Sequence, residues 1–253
     1  MKRLNGEKLN EYYSNVETVS SLLSKNEELI REAGCNPPVD NYAIEKKKRI
    51  KMPQGYIRTS AEFWKQYHLS DIVENKNIKN NISYALQLSD YYNYLVNRFY
   101  VWGSIETMLY KQAFVNIVSI TEALILETAN NINKYCQNCS MIGKCAKNIN
   151  RGDRENMKKA ALKLWKIGVL DFAEEDINAI VEMYDYRNKI HIRLNGENEF
   201  LDNKYNMKLY NRAISYLKQV DDKLWEKGVP YYKSCMGFEG KTERDLINSD
   251  LSR

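Results

Sequence analysis

The segment YDYRNKIHIR, residues 184–193, carries the side chains best suited to chemistry. It contains His191, one of only two histidines in 253 residues, with Arg187 four residues earlier and Asn188 beside it. Residues four apart are neighbours on one face of a helix. An imidazole is the side chain whose proton moves most easily near neutral pH. The trio is therefore a candidate catalytic site.

The pattern around this trio predicts a helix with one apolar face. At 100° per residue this face holds Ala173, Ile177, Ile180, Val181 and Tyr184. Asn188 and His191 continue the same stripe, and Arg187 lies at its edge. A cation and an imidazole on a buried stripe cost free energy unless partners or a ligand satisfy them. The alternative is structural, with His191 bonded to a backbone carbonyl and Arg187 paired with Asp185 or Glu182.

Glu122 is a secondary candidate, because it interrupts the apolar run AFVNIVSITEALIL. A buried carboxylate there requires Arg187 or a lysine beside it. A partly open groove that hydrates the carboxylate is the alternative. His68, the other histidine, is expected at the end of a short helix in a structural role.

The segment CQNCSMIGKC supplies Cys136, Cys139 and Cys145. The C-x2-C spacing suits a tetrahedral zinc knuckle. A fourth ligand has to come from Cys35, from Cys235, from a histidine or from a partner chain. We predict a structural zinc site; an iron–sulfur cluster and three uncoordinated thiols are the alternatives.

Composition narrows the class of protein. The formal net charge is +5 with 33 acidic residues, a mildly basic balance that permits contact with nucleic acid without requiring it. The basic run KKKRIK could touch phosphate, although a solvated charge run is the favoured interpretation. The basic start lacks an apolar segment behind it, and no apolar run reaches the length of a membrane span. We therefore expect a cytoplasmic protein without a membrane segment.

Long stretches follow helical spacing, and glycine, proline and strand-like alternation are scarce. The pattern predicts six helices. The first three are residues 1–33, ending near Gly34, a helix from about residue 81 to Gly103, and a helix of about thirty residues that starts from an N-cap at Ser104. The other three are one that ends at Gly168, one capped by Asp171, and a last one closed by Gly228 and Pro230. The second of the long helices is apolar all round, which is typical of the middle of a bundle.

The predicted fold is an all-α, up-and-down helical bundle with an N-terminal helical extension and a cysteine-bearing insertion. Residues 1–60 form the N-terminal helix and basic linker, residues 61–228 the bundle with the insertion at 136–156, and residues 229–253 a C-terminal tail. No Walker loop, HExxH or G-x-S-x-G motif occurs, so NTPase, zincin and α/β-hydrolase functions are set aside.

Residues 81–228 resemble the HEPN superfamily (higher eukaryotes and prokaryotes nucleotide-binding domains). The resemblance rests on the RNKIH segment, on the preceding two-helix hairpin with its buried second helix, and on the last helix. Members commonly carry Arg-Asn and then a histidine after four to six residues. Here three residues, Asn188, Lys189 and Ile190, separate Arg187 from His191.

The resemblance implies a metal-independent endoribonuclease of a toxin or antiphage defence module, with RNA as substrate and no cofactor for catalysis. His191 would move a proton, Arg187 would stabilise charge on the phosphoryl oxygens, and Asn188 would orient His191 or bind phosphate. Acid and base would both be supplied by pairing two copies of His191 in a homodimer. The alternative is a catalytically inactive HEPN-like module that binds RNA or a protein; a regulatory protein partner fits either function.

Overall fold

A computed structural model describes residues 4–35, 45–53, 55–137, 156–188 and 204–236. All regular structure within these ranges is helical, which confirms the all-α prediction. The helices are α1 Gly6–Glu32, α2 Ser60–Gln66, α3 Leu69–Ile72, α4 Lys76–Arg98, α5 Gly103–Gln137, α6 Met157–Lys166, α7 Glu174–Asn188, α8 Met207–Lys223 and α9 Val229–Met236.

The chain divides into two compact units, Met1–Pro53 and Gln54–Arg253. In the first unit, α1 ends as predicted, followed by Gly34 at a φ of 84° that favours glycine. No residue of α1 is buried, and Leu22 and Leu29 keep more than half of their surface exposed. A short 3-10 turn, Lys46–Lys48, lies in the basic run.

The second unit begins before the predicted boundary at residue 61. Arg58 donates from its backbone N–H and from its guanidinium to the buried carboxylate of Asp90 on α4, and its guanidinium lies over the ring of Phe63. Thr59 then starts α2 with a capping box, in which Glu62 accepts from the Thr59 N–H. These contacts join residues 58 and 59 to the bundle.

Helix α5 is the centre of this bundle, as its all-round apolar pattern predicted. It packs against α3, α4, α6, α7, α8 and α9. Side chains from several of its faces are buried, among them Phe114, Ile117, Ile120, Leu124 and Ile125. Helices α3, α4, α6, α7, α8 and α9 therefore have α5 as a common support, while α2 packs on α3 and α4.

The predicted position of the connection between α4 and α5 is wrong. Helix α4 ends at Arg98, where Phe99 caps it in an extended conformation, and Gly103 begins α5. Ser104 consequently lies inside the first turn of α5 and is not an N-cap. Gly103 has a φ of 57°, so the residue predicted to end one helix instead makes the turn into the next. Tyr100 and Trp102 stand exposed on this connection.

Asp171 does not cap α7. Its carboxylate lies against the ammonium groups of Lys227 and Lys223, and α7 begins at Glu174 with the Ile177 N–H bonded to the Ala173 carbonyl. Asparagine side chains cap three other helices, as Thr59 caps α2. Asn75, Asn156 and Asn206 accept N–H groups of the first turns of α4, α6 and α8.

The last helix does not close at Gly228. It continues through a π turn, Leu224–Gly228, into α9, which packs against α5. Pro230 lacks an N–H and would crowd the carbonyl four residues earlier in a regular helix. The wider turn, in which Val229 donates to the Leu224 carbonyl, lets the chain pass this proline without ending. The first eight residues of the predicted tail are therefore helical.

Within the described residues, the α5 stretch Gly103–Lys134 is long and apolar enough to cross a membrane by length and composition alone. Of its most apolar window, 56% is buried inside the protein. The core helix of a bundle passes the same test.

Candidate functional site

Arg187 lies in the last turn of α7, where its guanidinium reaches across to α5. Nη2 lies 3.2 Å from Glu122 Oε2, and Nε donates to Ser119 Oγ at 3.3 Å. Nη1 donates to the side-chain oxygen of the neighbouring Asn188 at 3.0 Å. The Arg187 side chain is 31% exposed and that of Glu122 19% exposed. The guanidinium is thus held in one orientation at a sheltered position.

The acid that faces Arg187 is the secondary candidate Glu122. Neither alternative partner is used: Asp185 lies 4.0 Å from Lys158, and Glu182 accepts from the Tyr186 hydroxyl. A guanidinium has five N–H donors. The three contacts on the described residues use three of them, and the other two have no partner among these residues.

The buried face of α7 differs from the predicted one at both ends. Ile177, Ile180 and Val181 are buried as expected, and Met183 joins them, but Ala173 and Asn188 are exposed. At this end of α7 the face that packs against α5 includes Arg187 and not Asn188. Asn188 therefore borders the site from the solvent side.

Several predicted site residues fall outside the described residues. His191 is one, and Cys139 and Cys145 of the zinc knuckle are two others. Cys136 belongs to the last turn of α5, which fixes only its backbone. Cys35 has a free thiol. The zinc knuckle and the convergence of His191 with Arg187 stay predictions.

A second polar cluster surrounds His68, on the turn between α2 and α3. The His68 Nδ1 lies 3.0 Å from Asp221 Oδ2, near the end of α8, and its ring stacks on Trp225 with centroids 4.2 Å apart. His68 has a φ of 42°, the one non-glycine residue with a positive φ among those described. Such a conformation persists only where neighbours hold it.

Asp221 is 1% exposed, although it is an acid. Its Oδ2 faces His68, while its Oδ1 is buried without a hydrogen-bond partner on the described residues. Burial raises the pKa of the Asp221 carboxyl to about 6, against the opposing effect of the hydrogen bond from His68. His68, Asp221 and Asp222 each bring a ligand atom within 4.8 Å of the others, so this trio could hold a metal ion.

Sequence reasoning missed this cluster because it treated His68 alone. The signal was present on α8, whose buried stripe of Tyr210, Ala213 and Leu217 runs directly into Asp221. An acid on a buried stripe requires a partner, as does an arginine on one. Only the tertiary structure identifies the partner of Asp221, since His68 is 153 residues away in the chain.

No family model matches the chain, and no curated protein and no solved structure matches it either.

Proposed function

We propose that the protein is a HEPN-type, metal-independent endoribonuclease whose catalytic centre comprises Arg187, Asn188 and His191, with Glu122 as a positioning residue. One observation carries the proposal. Arg187 is held by Glu122, Ser119 and Asn188 at the α5–α7 interface, yet keeps 31% of its side chain exposed and two N–H donors that no described residue uses. A purely structural ion pair does not require donors beyond those that its partners use.

The reaction is transesterification within RNA. The ribose 2′-OH gives its proton to a base while its oxygen bonds to the adjacent phosphorus, and the bond from phosphorus to the 5′-oxygen breaks. The leaving 5′-oxygen takes a proton from an acid, which yields a 2′,3′-cyclic phosphate and a 5′-OH. His191 is the residue whose imidazole suits these transfers.

Arg187 stabilises the charge that builds on the non-bridging phosphoryl oxygens. The fork of its guanidinium binds two such oxygens only when its plane is fixed. Glu122 supplies that constraint, and Asn188, on the exposed side, supplies an amide that can orient His191 or bind phosphate.

The reaction requires an acid and a base, and one copy of the chain supplies one His191. His68 belongs to a different cluster, because its Nδ1 faces Asp221 near the end of α8, whereas Arg187 faces Glu122. A homodimer with two facing copies of the centre supplies both groups. The proposed substrate is RNA, and the proposed setting, by resemblance, is antiphage defence or a toxin system in the cytoplasm.

The test is cleavage of total RNA by the full-length protein in EDTA. We expect products with cyclic phosphate ends, and a loss of about a hundredfold or more in Arg187→Ala and His191→Ala. Arg187→Lys is the matched variant: it keeps the charge and loses the fork, so it recovers little activity. Helical circular dichroism unchanged in all variants excludes unfolding. Equal rates in wild type and His191→Ala would reject the assignment.

A second candidate function is an inactive HEPN-like module that binds RNA or a protein partner. The observation that favours it is the α4–α5 connection, where Phe99, Tyr100 and Trp102 are 44%, 91% and 65% exposed. Exposed aromatic rings stack on single-stranded bases with little sequence preference. This function predicts that RNA binding falls in a Tyr100→Ala, Trp102→Ala double variant while no RNA is cleaved by any variant. Cleavage of RNA that is lost in His191→Ala would favour the nuclease over the inactive binding module.

A further inference from the structure

The cluster of His68, Asp221 and Asp222 has nearly the dimensions of a metal coordination shell. One ligand atom from each residue lies within 4.8 Å of the other two. Two ligands on one tetrahedral zinc ion, each at about 2.1 Å, are roughly 3.4 Å apart. The 3.0 Å between His68 Nδ1 and Asp221 Oδ2 is already close to that separation. A contraction of up to about 1.4 Å would bring all three ligand atoms to it.

Asp221 gives an independent reason to expect a cation. It is 1% exposed, and its Oδ1 has no hydrogen-bond donor among the described residues. A buried carboxylate oxygen without a donor costs free energy. A cation that the Asp221 carboxylate binds through both oxygens would satisfy Oδ1, to which no described residue donates.

The surrounding charge selects a cation over an anion. Asp221 and Asp222 are adjacent, and Asp71 lies beside His68 in an open pocket that Lys65 and Trp64 also line. Two carboxylates, those of Asp221 and Asp222, therefore lie beside the imidazole of His68. An anion would meet a net negative site, whereas a divalent cation is attracted to it. The pocket also gives an ion a route to His68 from solvent.

The imidazole is held in position before any ion arrives. Its ring lies flat against Trp225, with the two planes 12° apart, and Trp225 is fixed in turn because its Nε1 donates to Asp71. The left-handed backbone of His68, with a φ of 42°, aims the side chain at α8. A strained conformation kept by its surroundings is typical of functional positions.

We propose that His68, Asp221 and Asp222 bind a divalent first-row transition ion, with Zn²⁺ as the probe. One imidazole and two carboxylates suit such an ion, whereas Mg²⁺ and Ca²⁺ prefer oxygen ligands alone. The ion fastens the α2–α3 turn to the end of α8. This site is separate from the nuclease centre, which acts in EDTA.

The experiment uses the full-length chain with Cys136, Cys139 and Cys145 changed to serine, because those thiols are a second predicted zinc site. The protein is stripped with EDTA and titrated with Zn²⁺ by calorimetry. We expect one ion per chain, and affinity lower by about tenfold or more in His68→Gln and Asp222→Asn. His191→Gln, which changes the only other histidine, is the matched control and keeps full affinity.

A second measurement covers the case in which the serine variant does not fold. The wild-type chain is titrated with Mn²⁺, which thiolates bind poorly, while the two imidazole signals are followed by NMR. We expect paramagnetic broadening of the His68 signal at lower ion concentration than that of His191. Absence of uptake in both measurements overturns the proposal. So does binding that is unchanged in His68→Gln, or Mg²⁺ binding as tight as that of Zn²⁺.

Discussion

The pair formed by Glu122 and Arg187 offers the sharpest test of the candidate centre, because its strength can be measured without any substrate. The perturbation is a double-mutant cycle of Glu122→Gln, Arg187→Met and both together. Glutamine keeps the shape of Glu122 and removes its charge, and methionine keeps the apolar stem of Arg187. The cycle isolates the interaction between the two side chains from their separate contributions to stability.

The expected coupling energy follows from the burial of the pair. Fully exposed ion pairs couple by about 0.2–1 kcal/mol, whereas removing one partner of a buried pair costs about 3–5 kcal/mol. The side chains here are 19% and 31% exposed and their charged atoms lie 3.2 Å apart, which is between these limits. We expect a coupling of about 1–2 kcal/mol. Arg187→Met is the costlier single change, because it leaves the Glu122 carboxylate sheltered without its cation.

Urea unfolding followed by tryptophan fluorescence measures this energy. All four tryptophans, at positions 64, 102, 165 and 225, belong to the unit Gln54–Arg253, so the signal reports the bundle and not α1. The slope of the free energy of unfolding against urea should be the same in all four proteins. In about 1 M NaCl the coupling should persist in large part, because salt screens a sheltered pair only weakly.

A coupling below about 0.3 kcal/mol would show that Arg187 is not held by Glu122, since that is the scatter of independent sites. The argument for a fixed guanidinium would then fail, and the nuclease proposal would lose its main support. A full coupling that vanished in high salt would contradict the sheltered geometry.

Two further predictions concern the α8–α9 region. In EDTA, the free energy of unfolding should fall as the pH rises from about 4 through 6. The reason is that the folded state holds the Asp221 proton with a pKa of about 6, whereas the unfolded state releases it near 3.8. Urea midpoints of Asp221→Asn should lack this fall, and the same dependence of the midpoint on pH in both proteins would contradict the prediction. Gly228→Ala should destabilise the bundle by about 1 kcal/mol, because its Cβ would meet Thr128 Cγ2 at 3.1 Å and Val169 Cγ1 at 3.3 Å. Thermal melts should show no such loss of stability for Gly6→Ala, whose Cβ meets nothing within 4 Å. An increase in stability for Gly228→Ala would refute the packing argument.

Helices were predictable where their signals are local. The apolar pattern around α5 placed it in the core, and Gly168 ends α6 as expected: its N–H donates to Trp165, while Val169 donates to Leu164. The errors also have local causes. Gly103 and Gly228 were both assigned as helix ends, yet one begins α5 and the other lies inside a π turn. A glycine can mark a positive φ, as at Gly103, or a close approach of neighbouring side chains, as at Gly228, and neither means that a helix ends there.

The candidate centre was predictable in part. The spacing on α7 singled out Arg187, and the isolated acid on α5 singled out Glu122 as the carboxylate that would require it. The spacing of 100° per residue placed Asn188 on the buried face, but Asn188 is exposed. Such spacing does not show which side of a helix end a neighbouring helix covers. His68 was taken as structural, since nothing near it in the sequence indicates Asp221.

The sequence by itself determined that this chain is helical, where most of its helices run and which polar residues lie on or beside apolar stripes. Those properties depend on groups within about four residues of one another, through hydrogen bonds and side-chain spacing. The tertiary structure decided the partners. Arg187 meets Ser119 from 68 residues away, and His68 meets Asp221 from 153 residues away. Such pairings follow from how the helices pack around α5, and packing is a property of the whole core.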